Sequence, residues 1–283
     1  VNRLNHIAGG PVIDAHVHAN PPRIHQAIRR WFHDHAWRFH LDGGSERLIA
    51  QLFERGVRAV VLMNYAHRPG VSEWLNEFSS GLIRQIPGSA AALGAVHPQD
   101  DDPAAVVHRA FDVHGLSGVK MHAHVQAVAP DDPAMFPIYE AVLSHDGVVN
   151  FHAGREPAIE AYGYDVHSVS GADRVRPVLR RYPQLKMIVP HLGMDEAERF
   201  FDLLDEFPNL YLDTAMVVGD YFGFPVDRDR LERHADRILY GTDYPHIPYP
   251  VETELLAFKK LGLSPRAERA ILFENAARLF SLH

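Results

Sequence analysis

Histidines and carboxylates recur at the ends of short apolar runs in this chain. VIDAHVH ends at His18, GVVNFH at His152, KMIVPH at His191 and RILYGTD at Asp243, with SGVKMH ending at His122 between the first two. Imidazole and carboxylate groups are the donors that zinc and similar divalent ions take when no thiolate is present. The chain has no cysteine, so a metal here must rest on nitrogen and oxygen, and disulfides are excluded. Side chains alternate across a strand, so Asp14, His16 and His18 share one face of the first run. An H-x-H pair starts about 7 Å apart along the strand, and rotamers can bring both rings to one ion. The competing reading is a polar edge strand. PVIDAHVHA is too apolar for an edge, and two buried unpaired imidazoles would be costly.

Such residues need elements that aim them at one place. Eight runs read as strands: Val12–His18, Ala59–Met63, Ala91–Val96, Gly118–His122, Val148–His152, Lys186–Pro190, Leu210–Thr214 and Arg237–Gly241. Their Val, Ile, Leu and Ala content suits strands covered on both faces. Amphipathic stretches of helical length separate them. SERLIAQLFERG reads as a helix with a Ser cap, DPAAVVHRAFDVHG as one opening on an Asp cap and Pro, and DPAMFPIYEAVLSHDG carries Pro137 in its first turn or at a kink. The tail SPRAERAILFENAARLFSLH reads as two short helices broken near Phe273–Glu274. Strict alternation predicts a parallel sheet with helices outside, and eight strands predict a closed (β/α)8 TIM barrel, with an open doubly wound sheet as the fallback. In a barrel the polar strand ends lie at the carboxyl face, where active sites are built.

The 283 residues are close to the roughly 250 of such a barrel, and we read 1–283 as a single domain with a core of about 12–280. Two connections exceed the usual few residues. One runs from Ala19 to about Gly44 and carries Trp31, Phe32, His33, His35 and Trp37, an aromatic lid or plain packing. The other runs from Ala153 to about Ser170 and begins with Arg155, which either forks onto a substrate carboxylate or pairs with Glu156 or another acid. His246 and Tyr65, in strand-end loops, are further candidates for substrate contact. His152 and His191 taken singly are no more than core or surface histidines; their shared placement with H-x-H raises them. Asp243 as a helix cap is disfavoured because the prolines of YPHIPYP delay the next helix.

Taken together, D-A-H-V-H (Asp14 to His18), G-V-K-M-H (Gly118 to His122), F-H-A-G (Phe151 to Gly154), P-H-L-G (Pro190 to Gly193), G-T-D-Y-P (Gly241 to Pro245) and the ending E-N-A-A-R-L-F resemble the metal-dependent amidohydrolase superfamily. The resemblance is to its amidohydrolase-related group, which includes aminocarboxymuconate semialdehyde decarboxylase, and it runs from about Val12 to the end. It implies that His16, His18, His152 and Asp243 bind one divalent metal, with zinc the expected ion. It implies that His191 acts in proton transfer or oxyanion polarisation; in some members the equivalent residue binds a second metal. In binuclear members a lysine like Lys120 is carboxylated and bridges two ions; the alternative here is a hydrogen-bonded lysine near the ligands or one that binds a substrate anion. Lys120, His122 and His124 share a face if the strand continues, and Asp14 is placed to orient a ligand from behind.

A divalent ion lowers the pKa of coordinated water to roughly 7, which makes hydrolysis at neutral pH accessible. Asp243 would accept a proton and His191 would stabilise an oxyanion. The expected activity is therefore metal-dependent hydrolysis of a small carboxylate, ester, lactone or amide. A non-oxidative decarboxylase uses the same parts, and a non-catalytic barrel with a closed metal site is the third reading. With a formal charge of −8 and no basic run, no nucleic-acid partner is expected. The apolar runs are short and broken by charges, so no membrane span is expected, and VNRLNHIAGGP lacks a signal-peptide core. We expect a small-molecule substrate and a cytoplasmic location, with a homo-dimer as the candidate assembly.

Overall fold

The computed structural model describes residues 3–157 and 159–283. The chain packs as two compact units. The first comprises the chain up to Leu62, Leu82–Ala91 and Asp213–His283; the second comprises Met63–Gly81 and Ala92–Leu212.

In the first unit β1 (Ile13–His18), β2 (Ala59–Met63) and β3 (Ala90–Ala92) form a sheet in that order. The run from 238 to 244 lies along the free side of β1. Ala15 N–H donates to Tyr240 C=O at 2.9 Å, Asp243 N–H to His16 C=O at 3.0 Å and His18 N–H to Tyr244 C=O at 2.7 Å. Thr214 N–H then donates to Leu239 C=O at 3.1 Å, so this run has a neighbour on each side. Every residue of β1 is buried, which is why Ile13, Ala15 and Val17 are apolar and why the polar residues between them need partners.

In the second unit β4 (Gly94–Ala95), β5 (Gly118–His122), β6 (Val148–His152), β7 (Lys186–Val189) and β8 (Leu210–Asp213) run in sequence order. The pairings from β4 to β8 are all parallel. The register sets His122 directly opposite His152. The remaining strand, β9, is short, covering Ile238–Leu239. The eight expected runs are therefore present, with the third divided at Leu93 into β3 and β4.

Helices precede the strands as the sequence pattern predicts. Asp102 caps the helix Pro103–Asp112 by accepting from Ala105 N–H at 3.0 Å. Pro137 lies in the first turn of Phe136–Ser144, where a proline's missing N–H costs no helical hydrogen bond. Three expectations are corrected. Ser45 begins the helix Ser45–Glu54 but does not cap it; its hydroxyl donates to Asn20 C=O at 2.8 Å and accepts from Asn20 N–H at 2.9 Å, fastening the chain beyond β1. The connection after β1 is not an open loop, because Pro22–His35 is helical. The tail is not broken: Pro265–Arg269 and Asn275–Phe280 are joined by a π turn over Ala270–Glu274. There the Ile271 carbonyl accepts from Tyr240 N–H at 3.0 Å, and a carbonyl diverted out of the helix suits a widened turn. Among the described residues no helix is long and apolar enough to cross a membrane.

Candidate metal centre

In the first unit the carboxyl end of β1 meets the turn after β9. His16 Nε2 and His18 Nε2 are 3.2 Å apart. Asp243 Oδ1 lies 3.2 Å from the first and 2.9 Å from the second. An ion with bonds of about 2.1 Å separates neighbouring ligands by about 3.0 Å in octahedral and 3.4 Å in tetrahedral geometry. The three atoms fit that spacing, and the donor set is one a divalent cation takes.

The tautomer of His16 follows from its other nitrogen. Nδ1 lies 2.8 Å from Asp213 Oδ2, both residues fully buried. A carboxylate only accepts, so Nδ1 carries the proton and the Nε2 lone pair faces Asp243 and His18. This is the carboxylate–histidine arrangement that orients metal ligands. Asp213 was not selected from the sequence, although it is the last residue of β8. Asp14, selected for that role, does something else. Its Oδ1 accepts from the backbone N–H of His16 at 3.2 Å and of Thr242 at 3.1 Å, and its Oδ2 from the Thr242 hydroxyl at 2.6 Å. It ties β1 to the turn that carries Asp243. Burial pushes its carboxyl up to about 7.

Close packing fixes the same turn. A Cβ on Gly241 would lie 2.7 Å from the Cβ of His16, so only glycine lets the 241–243 backbone approach β1 this closely. Asp243 itself has φ 64°, an uncommon backbone region for a residue with a side chain. Burial pushes its carboxyl up, but the imidazoles of His16 and His18 facing it outweigh this and hold it well below the usual carboxylate range.

His246 belongs to the next layer. Its ring stacks on His18 with centroids 4.2 Å apart and 16° between planes, and on Phe39 at 4.9 Å. Two nearly parallel stacked imidazoles cannot both hold one ion in their planes, so His246 is not a co-ligand with His18. Burial holds its imidazole well below the ordinary value, which keeps it neutral. Phe32 packs beside it, and Trp37 Nε1 donates to the His246 carbonyl at 2.6 Å. The aromatic residues after β1 thus pack against the layer over His18, while His33 and His35 are exposed.

In the second unit His152 ends β6 and stacks on His122, with centroids 4.1 Å apart and 6° between planes. The same parallel geometry keeps His122 off any ion held by His152. His191 lies beside His152 with ring centroids 4.8 Å apart, and its backbone is left-handed at φ 59°. The glycines of the two motifs meet as well: a Cβ on Gly154 would lie 2.7 Å from the Gly193 backbone. Lys120 is fully buried and donates from Nζ to Asn150 Oδ1 at 2.8 Å.

His124 does not continue the face of β5. The strand stops at His122, where Gln126 Oε1 accepts the His122 N–H at 2.8 Å, and Ala123–Gln126 is a helical turn. From that turn His124 Nδ1 reaches Glu156 Oε1 at 2.6 Å, and Glu156 Oε2 lies 3.5 Å from His152 Nε2. Burial pushes the Glu156 carboxyl up, but His152 and His124 prevail and keep it well below the carboxylate range. Burial lowers the His152 imidazole. Arg155 is paired with a different acid, Nε lying 3.7 Å from Glu196 Oε2, so the salt-bridge reading applies and its partner is not Glu156. Tyr65 packs edge-on against His122 at 4.9 Å.

The amidohydrolase family profile matches residues 13–282. No curated protein matches the chain. An uncharacterised TIM-barrel protein of Bordetella bronchiseptica is 20% identical with a TM-score of 0.75, covering 96% of this chain and 98% of that one. A 5-carboxyvanillate decarboxylase of Novosphingobium aromaticivorans, complexed with manganese and 4-hydroxy-3-methoxy-5-nitrobenzoic acid, is 16% identical with a TM-score of 0.70, covering 97% of each chain. A probable 2-pyrone-4,6-dicarboxylic acid hydrolase of Acinetobacter baumannii, with citric acid bound, is 17% identical with a TM-score of 0.65, covering 96% and 99%. The shared fold is the (β/α)8 barrel expected from the strand pattern. With the family matched over nearly the whole sequence and three buried donors spaced for a divalent cation, the chain belongs to the amidohydrolase family and is an enzyme of that type.

Proposed function

We propose that this enzyme hydrolyses a small carboxylate, ester, lactone or amide with one divalent ion held by His16, His18 and Asp243. The observation that carries the reading is the trio of His16 Nε2, His18 Nε2 and Asp243 Oδ1 within 2.9–3.2 Å of one another. The sequence resemblance adds His152 as a ligand of that ion and His191 as the polarising group. Zinc suits the nitrogen and oxygen donors, and manganese suits the octahedral spacing. Bound there, a divalent ion supplies Lewis acidity and lowers the pKa of water.

The residues divide the remaining work. Asp213 holds His16 in the tautomer whose Nε2 is a donor to metal. Asp243 stays ionised through burial because two imidazoles face Oδ1, and Oδ2 is the oxygen on which it takes up a proton from the attacking water. His191 then donates a hydrogen bond to oxyanion charge developing on the substrate.

A second reading is non-oxidative decarboxylation. It is favoured by the fold likeness to the 5-carboxyvanillate decarboxylase, where manganese lies with a substituted benzoic acid. A panel of hydroxybenzoates and muconate-like acids followed by carbon dioxide release, beside esters and lactones followed by incorporation of labelled water, separates the two. We expect label incorporation without carbon dioxide, and its loss by at least about a hundredfold in Asp243→Asn with the fold retained. Carbon dioxide release alone would move the enzyme to the lyases. Full activity in Asp243→Asn would remove Asp243 from the chemistry.

A further inference from the structure

We infer that the cavity lined by Arg29, His33, Arg38 and Phe39 binds a small molecule carrying a carboxylate or phosphate group on a planar apolar body. The site lies wholly in the first unit and does not rest on the metal reading above. None of its lining residues is His16, His18 or Asp243.

The segment that builds it is the basic part of an acidic chain. Residues 22–40 carry four arginines and four histidines against one acid, Asp34, whereas the whole chain has a formal charge of −8. Arg29 and His33 are four residues apart on the helix Pro22–His35, so they share a face. Arg38 follows the end of that helix and brings a second guanidinium to the same cavity. The volume is about 320 Å³, at the small end of ligand clefts. Two guanidinium groups suit an oxyanion, since each can give two parallel N–H bonds. Arg38 is exposed and forms no ion pair among the described residues.

Two carboxylates stand close without closing the site. Asp42 Oδ1 meets Arg29 Nη1 at 2.5 Å and Asp34 Oδ1 meets His33 Nδ1 at 3.0 Å, but these carboxylates are 67% and 62% exposed, where ion pairs are weak and screened. Neither lines the cavity. The field beneath is cationic: burial lowers the imidazole of His25, and Arg29 lowers it further by more than Asp42 raises it. His25 is buried, its ring centroid lies 6.4 Å from that of Phe39, and its Nε2 has no hydrogen-bond partner among the described residues.

Phe39 is the apolar wall, and its place is fixed. Its ring stacks on His246 with 24° between planes and packs against Phe32 at 5.2 Å. On one side Trp37 Nε1 donates to the His246 carbonyl, and on the other His40 N–H donates to the Ile247 carbonyl at 2.9 Å. Arg38 and Phe39 therefore sit between two fastened residues, and a ligand need not order the backbone that binds it. A flat ring beside two guanidinium groups selects an anion with a flat apolar body.

The test is calorimetric binding of phenylphosphonate, a stable stand-in for a phosphate ester, and of benzoate, with methylphosphonate and acetate as counterparts that lack the ring. Each is titrated into metal-loaded protein and into the same protein after metal removal. At least one phenyl anion should bind with a dissociation constant of about 1 mM or tighter, and at least about threefold more tightly than its methyl counterpart. The tighter of the two head groups identifies the source of the anion. Metal removal should leave that affinity within about twofold. Arg38→Gln should weaken it at least about tenfold with metal content unchanged, and Arg38→Lys should restore it only in part, because an ammonium lacks the planar fork. In wild-type protein labelled with nitrogen-15 histidine, the bound anion should shift the ring resonances of His33, a readout that needs no variant. Binding lost with the metal, unchanged affinity in Arg38→Gln, unmoved His33 resonances, or no binding of either phenyl anion by about 10 mM overturns the inference.

Discussion

Asp213 is the residue whose role sequence spacing conceals. Its carboxylate meets His16 Nδ1 at 2.8 Å, and this holds the proton of His16 on Nδ1. Losing such a partner typically lowers metal affinity about 10–100-fold. Asp213→Asn should show that loss in a calorimetric metal titration while the far-ultraviolet spectrum is unchanged; wild-type affinity would deny the orienting role. His16, His18 and Asp243 were legible because alternation on a strand and placement at a strand end are properties of the sequence. Asp213 carries the same strand-end signal in LYLD and could have been found by it. Glu156 could not. The sequence offers it only as one of the acids open to Arg155, and it is the turn at Ala123–Gln126 that brings His124 to it.

The elements around the site carry their own buried chemistry. Glu254, on the helix Glu252–Lys260, accepts from Gly219 N–H at 3.1 Å and from the Tyr249 hydroxyl. Burial pushes its carboxyl up to about 8 from 4.5. Because the folded protein holds this proton more tightly than the unfolded chain, the associated stability is fully present below pH 4.5 and is lost as pH rises to about 8. Glu254→Gln, which mimics the neutral acid, should melt with a flatter pH dependence over that interval, the difference from wild type approaching a few kcal/mol, on the order of the shift. Thermal melts from pH 5 to pH 9 check this; parallel curves for the two proteins would show that Glu254 is ionised when folded. Most element positions were legible, since apolar runs and Asp-Pro caps speak directly. The π turn at Ala270–Glu274 was not, because it depends on a distant amide, that of Tyr240.

For the molecule as a whole, strand–helix alternation announced the barrel, and a family match over residues 13–282 accords with it. The proposed ion at His16, His18 and Asp243 would tie folding to metal, because an ion that binds only the folded state stabilises it by mass action. The most direct test of the account is a calorimetric titration of metal-stripped protein with zinc and with manganese, beside Asp243→Ala. We predict one equivalent bound per chain in the wild-type protein and a loss of that binding in the variant. Undiminished binding in Asp243→Ala, or no binding by the wild-type protein, would contradict it.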